Sequence, residues 1–283
     1  MPSAANHHPA IKAGRTAVIT GAASGIGLAA ARALGDLGMA IAMVDLPGDK
    51  LDAAVATLRA KGVNSVAIGA DVADRQALTD AAARVAQGLP PVTVLMNNAG
   101  VGFPSSAVTA DTAWQRTLAI NLWGVIHGTQ AFASTMLNHG EPGVIINTGS
   151  KQGITTPPGN PAYNVSKAGV KVFTESLAHE LRETTGCNIT AHLLIPGWVH
   201  TGLTATVGTP KPAGAWSPEQ TVEFMLEALA RGDFYILCPD NDTPRALDEK
   251  RIAWAAGDLI ENRPALSRWQ KDHSETFKDW LRK

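Results

Sequence analysis

The sequence predicts a doubly wound α/β fold: a single, Rossmann-like domain with a mostly parallel sheet of about seven strands and helices on both faces. Runs such as GVIIN at Gly143–Asn147 are apolar throughout rather than alternating, which is typical of strands buried on both faces. These runs alternate with longer helical patterns, as repeated βαβ units require. No linker rich in Gly, Ser or Pro divides the chain.

The predicted elements alternate along the chain. The strands are Thr16–Ile19, Ala40–Val44, Ser65–Ile68, Val92–Met96, Gly143–Asn147, Ile189–Ile195 and Phe234–Leu237. The helices are Gly25–Leu37, Lys50–Lys61, Arg75–Gln87, about Asp111–Leu137, about Ala162–Glu183 and Glu219–Ala230. Two long stretches, Thr155–Pro161 and Thr201–Pro218, are predicted as loops, and loops of such length often serve function.

The composition narrows the class of protein. The chain has 283 residues, of which 45% are hydrophobic, so a large core can form. A net charge of -1 without long runs of one sign indicates neither a nucleic-acid nor an anionic-membrane partner. Cys187 and Cys238 lack a CxxC spacing, so we expect reduced thiols in a cytoplasmic protein and no metal site. No signal peptide or membrane-spanning run is predicted, and residues 1–12, with His7 and His8, are expected to be disordered.

Three glycines mark the first strand–helix turn, TGAASGIG. Gly21 allows a tight turn, Gly25 allows backbone to approach a pyrophosphate, and Gly27 allows the helix to pack closely on the sheet. The helix N-terminus that follows offers free N–H groups and a partial positive charge to phosphates. A turn that merely needs flexible residues is the alternative interpretation.

A second pattern lies in NPAYNVSKAG, where Tyr163 and Lys167 share one helical face. Lowering a phenol pKa from about 10 to near 7 needs about 4 kcal/mol. A cation about 4 Å away supplies about that much at an effective dielectric near 20. Ser150, thirteen residues upstream, ends a strand where ligands bind in open α/β sheets. Alone, a Y-x-x-x-K spacing is more often a solvated helix face.

Together, the G-x-x-x-G-x-G turn, Ser150 and the Tyr163–Lys167 pair resemble the short-chain dehydrogenase/reductase family, in its compact branch of about 250 residues. The resemblance extends from about Thr16 to Thr201. It implies a catalytic tetrad of Asn121, Ser150, Tyr163 and Lys167, in which Asn121 holds a water that relays protons to the lysine. A polar packing position for Asn121 and a capping role for Ser150 are the alternatives.

The resemblance also implies which residues bind the coenzyme. Asp45, about 20 residues after the turn, would accept hydrogen bonds from the ribose and repel a 2′-phosphate. No Arg or Lys lies in the turn or directly after Asp45, so NAD is expected over NADP. The full expected set is Gly21, Ser24, Gly25, Ile26, Gly27, Asp45, Asp71, Val72, Asn98, Ala99, Gly100, Tyr163, Lys167, Pro196, Gly197, Val199 and Thr201.

The implied activity is NAD-dependent interconversion of a secondary alcohol and a ketone. An apolar or aromatic small molecule would suit the candidate substrate residues, although these could instead cover the core. They are Ser150, Phe103, Ile154, Trp198, Leu203, Val207 and Trp216. One alternative function is a non-catalytic NAD-binding regulator. Another is a nucleotide-sugar-type epimerase or dehydratase of the extended branch, although its T-G-x-x-G-x-x-G turn and larger C-terminal domain are missing.

The expected domain organisation follows from these assignments. Residues 13–240 form the NAD-binding catalytic domain, including a substrate loop at about 198–217. Residues 241–283 form a polar C-terminal extension, packed on the same domain or on a neighbouring subunit. Many family members end in a V-D-G-G-like segment that helps pack the tetramer, whereas this chain reads FYILCPDND. A homodimer or homotetramer is expected.

Overall fold

A computed structural model describes residues 7–205 and 208–282. Seven strands form one sheet, in the order β3-β2-β1-β4-β5-β6-β7, and every pair of neighbouring strands is parallel. The strands are β1 (Thr16–Thr20), β2 (Ala40–Asp45), β3 (Ser65–Gly69), β4 (Val92–Asn97), β5 (Gly143–Thr148), β6 (Ile189–Ile195) and β7 (Tyr235–Leu237). The predicted doubly wound sheet is therefore confirmed.

Ten α-helices connect and flank these strands in the described part of the chain. They are α1 (Gly25–Asp36), α2 (Asp49–Ala60), α3 (Arg75–Gly88), α4 (Ala113–Leu118), α5 (Gly124–His139), α6 (Gln152–Thr155), α7 (Pro161–Glu183), α8 (Pro218–Arg231), α9 (Arg245–Ile260) and α10 (Ser274–Arg282). A π-helical turn, Ala119–Trp123, joins α4 to α5, and two short 3₁₀ turns precede α10.

Local capping fixes where several helices begin. The Asp74 carboxylate accepts hydrogen bonds from the N–H groups of Gln76 (2.8 Å) and Ala77 (3.3 Å) at the start of α3. Ser217 forms a reciprocal capping box with Gln220 at the start of α8. These side chains satisfy N–H groups that have no partner within the helix.

The apolar strands are explained by two core layers, one on each face of the sheet. Ile19 of β1 packs into a core with Leu34 of α1 and Met225 of α8. Val18, its neighbour in β1, points to the opposite face and packs with Phe132 of α5. Because both faces are covered by helices, successive residues of a central strand are all buried.

The strand order reverses beside β1, because the chain runs outwards to β3 and then returns to place β4 on the other side of β1. The carboxyl ends of β1 and β4 therefore open onto a crevice. In open α/β sheets, ligands bind at such a switch point.

The N-terminal segment differs from the expectation. Residues 1–6 lie outside the described part, but the chain from His8 onwards packs on the body instead of fraying. Ala10 is 1% exposed, and its carbonyl accepts a hydrogen bond of 2.7 Å from Thr93 Oγ1. The His8 ring lies edge-on to His192, with 5.8 Å between ring centroids. A few specific contacts at the edge of the core thus order a segment too short to show any periodic pattern.

The single long helix expected over about Asp111–Leu137 is instead α4 and α5, separated by the π-turn. One additional residue in a helical turn does not visibly change the hydrophobic pattern of the sequence. The break between α4 and α5 was therefore not predicted. The short α6 was not predicted, and its last residue, Thr155, is the first residue of a predicted loop.

The C-terminal extension packs on the same domain. Trp254 of α9 is 3% exposed and lies against Phe277 of α10, with 5.2 Å between ring centroids. Its indole N–H donates to Ser267 Oγ at 2.7 Å, and the Arg263 guanidinium lies 4.0 Å from the ring centroid. Asp248 of α9 pairs with Lys151 beside the carboxyl end of β5 (2.6 Å), which joins the extension to the sheet.

Candidate active site

Tyr163, Lys167 and Ser150 come together above the carboxyl end of β5. The Asn160 side chain caps the first turn of α7 by accepting from the Tyr163 N–H, which orients the tyrosine. The Ser150 hydroxyl lies near enough to the Tyr163 side chain to lower the pKa of its phenol. Lys167 is 3% exposed, and its Nζ donates to the Thr148 carbonyl at 2.7 Å. Its ammonium lies 5.8 Å from the centroid of the tyrosine ring.

The protonation behaviour of the pair follows from burial. Burial raises the pKa of Tyr163, and the hydrogen bond from Ser150 opposes that rise without cancelling it. Burial also lowers the pKa of Lys167 to about 8. The direction for the tyrosine is opposite to the lowering expected from the sequence, because burial outweighs the neighbouring groups in the protein alone.

Asn121 lies at the centre of the π-turn and is fully buried. Its Oδ1 accepts from the Val101 N–H at 2.8 Å, and its Nδ2 donates to the Val101 carbonyl (2.9 Å) and to Ser166 Oγ (3.1 Å). The side chain therefore ties the loop after β4 to α7. π-turns of this kind are frequent at functional sites.

Gly100 keeps the space between Asn121 and Lys167 open. A Cβ atom on this glycine would lie 3.4 Å from Asn121 Oδ1 and 3.6 Å from Lys167 Nζ. Both polar atoms thus lie next to the same glycine.

The glycine-rich turn has the backbone geometry that its residues predict. Gly21 and Gly25 adopt φ angles of +65° and +54°, which favour glycine. A Cβ on Gly27 would collide with the Gly21 carbonyl and lie 2.7 Å from Asn98 Nδ2. Asn98 in turn donates from Nδ2 to the Thr20 carbonyl at 3.1 Å, which fastens the end of β4 to the turn.

The N-terminus of α1 is available to an anion. Ser24 occupies the N-cap position without a side-chain capping bond, and the described first turn contains no acidic residue. Ile26, in the first turn of α1, packs against the core. A Cβ atom on Gly25 would lie 3.3 Å from Thr201 Cγ2. The turn and the segment after β6 therefore face each other across a narrow gap.

Asp45 ends β2 beside this turn. Its Oδ2 accepts from the Ala23 N–H and its Oδ1 from the Leu46 N–H, both at 2.8 Å. Asp71 is exposed after β3 and caps its own turn by accepting from the Ala73 N–H at 2.9 Å. The adjacent Val72 is buried against Gly124. The carboxylates predicted to contact the adenosine portion thus lie at adjacent strand ends.

The segment after β6 forms the wall of the cleft opposite the glycine-rich turn. Pro196 and Gly197 follow the strand, and Gly197 lies close against Asp240 and Lys151. Val199 is buried and bridges to Trp216, while its carbonyl accepts from Thr204 Oγ1 at 2.5 Å.

The candidate substrate residues separate into two groups. A Cβ on Gly102 would lie 3.2 Å from Leu203 Cδ1 and 3.9 Å from Tyr163 Cδ2, so Leu203 and Tyr163 flank the same open position. Phe103 follows directly, with Arg116 4.4 Å above its ring, and Trp198 is 42% exposed.

Two other candidates are committed to packing. Trp216 donates to Asn241 Oδ1 at 3.1 Å and lies against Phe224, and Ile154 packs on the small core beside β6 and β7. Both are expected to line the substrate site, which stays a prediction, and these contacts hold their side chains in place. Val207 lies outside the described residues.

Several residues of this region were not predicted. Val101 and Ser166 hold Asn121, Gly102 leaves space beside Tyr163, and the Thr148 carbonyl holds Lys167. Lys151 and Asp240 were missed as well, although the polar CPDND segment after the last strand was a signal for the latter.

The cleft fits a dinucleotide. Glycines border it where a Cβ would intrude, the N-terminus of α1 is open to phosphate, and Asp45 lies beside the turn at the end of β2. Within residues 7–205 and 208–282, His, Cys, Asp and Glu side chains form no group of three or more that could hold a metal. Nor is any helix in those ranges long and apolar enough to cross a membrane.

Comparisons with known proteins agree with this geometry. The family described as short chain dehydrogenase matches residues 15–212. A 1-deoxy-11-beta-hydroxypentalenate dehydrogenase of Streptomyces exfoliatus is 30% identical over 268 residues, covering 93% of this chain and 96% of that protein.

Two solved structures differ in the coenzyme they contain. A short-chain dehydrogenase/reductase from Burkholderia phymatum in complex with NAD superposes with a TM-score of 0.80 at 29% identity, covering 89% of this chain and 96% of that one. L-Sorbose reductase from Gluconobacter frateurii, complexed with NADPH and L-sorbose, gives a TM-score of 0.71 at 25% identity, covering 82% and 98% of the two chains.

Proposed function

The chain belongs to the short-chain dehydrogenase/reductase family, and we propose that it interconverts a secondary alcohol and a ketone with NAD as its preferred coenzyme. The observation that supports this proposal most directly is the placement of Ser150, Tyr163 and Lys167 at one end of the switch-point crevice. Bound NAD supplies the hydride acceptor, and the protein supplies position and proton transfer.

In the oxidising direction, the Tyr163 oxygen takes the proton of the substrate hydroxyl. Ser150 hydrogen-bonds the same substrate oxygen and stabilises its developing charge. Lys167, held by the Thr148 carbonyl, places a positive charge beneath the tyrosine. Asn121 fixes the loop after β4 and the start of α7 through Val101 and Ser166, which keeps these groups in register. Reduction runs the same proton transfer backwards.

Tyr163→Phe tests the proton transfer. We expect at least a hundredfold loss of turnover with a panel of alcohols and NAD, because general acid–base catalysis contributes about 10²–10⁴-fold. Tyr235→Phe is the matched control: it removes the chain's other phenol, whose hydroxyl contacts Glu175 on the surface. Turnover by Tyr163→Phe within tenfold of the parent enzyme contradicts the assignment. Coenzyme binding by the parent without turnover on a broad panel favours a non-catalytic regulator instead.

The raised pKa of Tyr163 gives a pH dependence. Oxidation needs the deprotonated phenol and reduction needs the protonated one, so burial favours reduction at neutral pH. We expect the oxidation rate to rise with pH through the alkaline range and the reduction rate to fall. Initial rates in both directions from pH 6 to 10 check this expectation, and parallel profiles for the two directions contradict it.

Asp45 supports the preference for NAD. Its carboxylate is fixed by the Ala23 and Leu46 N–H groups at the place where an adenosine 2′-phosphate would approach. We expect NAD to bind at least tenfold more tightly than NADP. Asp45→Asn keeps one oxygen acceptor but removes the negative charge. The ratio of the Kd for NADP to the Kd for NAD should therefore be smaller in this variant. Calorimetric titration measures both constants, and equal binding of the two coenzymes by the parent refutes the preference.

The substrate class is inferred from the open position beside Tyr163. Leu203 borders it, and Phe103 follows Gly102 in the chain, so an apolar or aromatic alcohol fits better than a strongly charged one. Leu203→Asp should raise KM for apolar alcohols at least tenfold while coenzyme binding stays unchanged. An unchanged KM places the substrate elsewhere.

We also propose a homodimer or homotetramer in the cytoplasm. Trp123, Val165 and Val172 of the π-turn and α7 are 53%, 48% and 59% exposed, and such exposed apolar groups mark association surfaces. Light scattering after gel filtration measures the mass directly, and a monomer at micromolar concentration excludes the oligomer. Cys187 and Cys238 are unpaired thiols, consistent with a reducing compartment.

A further inference from the structure

Three charged side chains lie largely buried together next to Ser150 in the chain. Lys151 Nζ lies 3.3 Å from Asp240 Oδ2 and 2.6 Å from Asp248 Oδ2. The exposed fractions of the three side chains are 18%, 7% and 5%. They come from different parts of the chain: Lys151 follows β5, Asp240 follows β7, and Asp248 belongs to α9 of the C-terminal extension.

The cluster touches the predicted catalytic region through the backbone. Lys151 directly follows Ser150 and begins the short helix α6, whose first N–H groups turn back on both residues. The Ser150 carbonyl accepts from the Gly153 N–H at 3.0 Å, and its hydroxyl accepts from the Gln152 N–H at 3.1 Å. A displacement of Lys151 therefore moves the backbone that holds the Ser150 hydroxyl.

Asp240 connects the cluster to the start of the substrate loop. Its Oδ2 accepts from the Trp198 N–H at 3.1 Å, and a Cβ on Gly197 would lie 2.5 Å from the same oxygen. Gly197 thus lets the loop lie directly on the Lys151–Asp240 pair, and any larger residue would separate them.

The residue after Asp240 holds the other end of the loop. The Asn241 N–H donates to the Gly214 carbonyl at 3.1 Å, and its Nδ2 donates to the Ala213 carbonyl at 2.6 Å. Its Oδ1 accepts from the Trp216 indole. One turn, Asp240–Thr243, therefore contacts both ends of the predicted substrate loop.

Stability alone is a weak reason to bury these charges. Removing three charges from water costs several kcal/mol per ion, and well-packed apolar residues of similar volume are often as stabilising. What a buried ion cluster supplies is one defined geometry, because each charge must stay close to its partner. Here the geometry is that of Ser150 and of both ends of the substrate loop.

We infer that Lys151, Asp240 and Asp248 form a positioning unit through which the C-terminal extension sets the placement of Ser150 and of the substrate loop. The catalytic part of this inference rests on the proposed function. The structural part does not, because it concerns the ordering of two backbone segments. None of the three residues is a catalytic residue in the sense of touching the reacting atoms.

Asp248→Asn tests the inference with little change of volume. It removes the ionic link between α9 and Lys151 while the Lys151–Asp240 pair remains. Glu249→Gln, the neighbouring residue on α9, is the matched control, because Glu249 pairs with the exposed Arg245 on the surface. Hydrogen exchange of the full chain, read by mass spectrometry, reports peptides over 149–153 and 197–205 separately from the strands.

We expect Asp248→Asn to speed exchange at least tenfold in these two segments, with β1 to β4 unchanged, and Glu249→Gln to match the parent. Turnover should fall at least tenfold, because the Ser150 hydroxyl and the start of the substrate loop lose their fixed placement. Exchange that equals the control in both segments, or that rises uniformly along the chain, overturns the inference.

A second pair of variants decides the matter if Asp248→Asn does not fold. Lys151→Arg keeps a cation that can pair with both carboxylates, whereas Lys151→Met removes it. The inference requires faster hydrogen exchange in the two segments of Lys151→Met and parent-like exchange in Lys151→Arg. Similar exchange rates in the two variants overturn it. A parent without turnover argues against the proposed function, but the exchange measurements still test the positioning unit.

Discussion

Replacing the lysine of the proposed active site should make the protein more stable. Lys167 is almost fully buried, and burial lowers its pKa from 10.5 to about 8. At neutral pH the ammonium is charged in both the folded and the unfolded chain, so the folded state bears the cost of removing it from water. Lys167→Met keeps a long unbranched side chain and removes that charge.

The size of the effect follows from the shift. A pKa lower by about 2.5 units corresponds to a cost of about 3 kcal/mol at pH 7, at 1.36 kcal/mol per unit. Losing the hydrogen bond from Nζ to the Thr148 carbonyl offsets about 1 kcal/mol. The free energy of unfolding should therefore rise by about 2 kcal/mol in the variant at pH 7, while turnover is lost.

The pH dependence has a definite sign. Between pH 8 and 10.5 the unfolded chain binds more protons at this lysine than the folded chain, so the stability of the parent rises with pH in that window. The advantage of Lys167→Met should thus shrink by about 2 kcal/mol between pH 7 and pH 9.5. Below pH 8 the advantage should stay constant.

Urea unfolding at pH 7 and pH 9.5 measures both quantities, provided that the m-value is unchanged. Lys171→Met is the control: this lysine lies one turn further along α7, is about one third exposed, and pairs with Glu175 at 2.8 Å. Its replacement should change stability by less than about 1 kcal/mol. A Lys167→Met variant that is less stable than the parent at pH 7, or whose advantage is independent of pH, refutes the reasoning.

Three further predictions concern particular contacts. Gly27→Ala should cost about 1–3 kcal/mol in urea unfolding and weaken NAD binding at least tenfold in calorimetry, because its Cβ meets the Gly21 carbonyl and Asn98; an unchanged Kd contradicts the close packing. Asp74→Ala should lower the free energy of unfolding by about 1 kcal/mol through loss of the α3 cap, whereas a change below about 0.3 kcal/mol would mean that water replaces the carboxylate. Trp254→Phe should lower the free energy of unfolding by about 1 kcal/mol, because Ser267 loses the indole donor but keeps its hydrogen bond to Asp258. Thermal melting detects the change, and an unaltered midpoint would exclude a contribution from the indole hydrogen bond.

The sheet could be predicted from the sequence because its strands are apolar on both faces. Their ends were less predictable: β1 to β5 each run one residue beyond the expected boundary. The additional residues are Thr20, Asp45, Gly69, Asn97 and Thr148, none of which has a hydrophobic side chain. A hydrophobic pattern indicates a strand only where the side chains are apolar, yet the backbone pairing continues beyond that point. The strand ends that face the site are therefore not predicted by such a pattern.

The candidate site was predictable where spacing along one element fixes geometry. Tyr163 and Lys167 share a helical face, and the glycines of the first turn follow a strand directly. Contacts between distant segments were not predictable in this way. No local pattern joins the Trp216 indole to Asn241, or Lys151 to Asp248.

The π-turn has a consequence for how this helix could change. A residue advances about 100° around an α-helix, so one additional residue in the turn rotates everything after it by that angle relative to an unbroken helix. Asn121 faces Val101 in one phase, while Gly128 and Phe132 face the sheet in another. Deleting a single residue of the π-turn would straighten the helix, so that either Asn121 or the residues facing the sheet would no longer be aligned. The number of residues in this turn is therefore constrained more tightly than their identity.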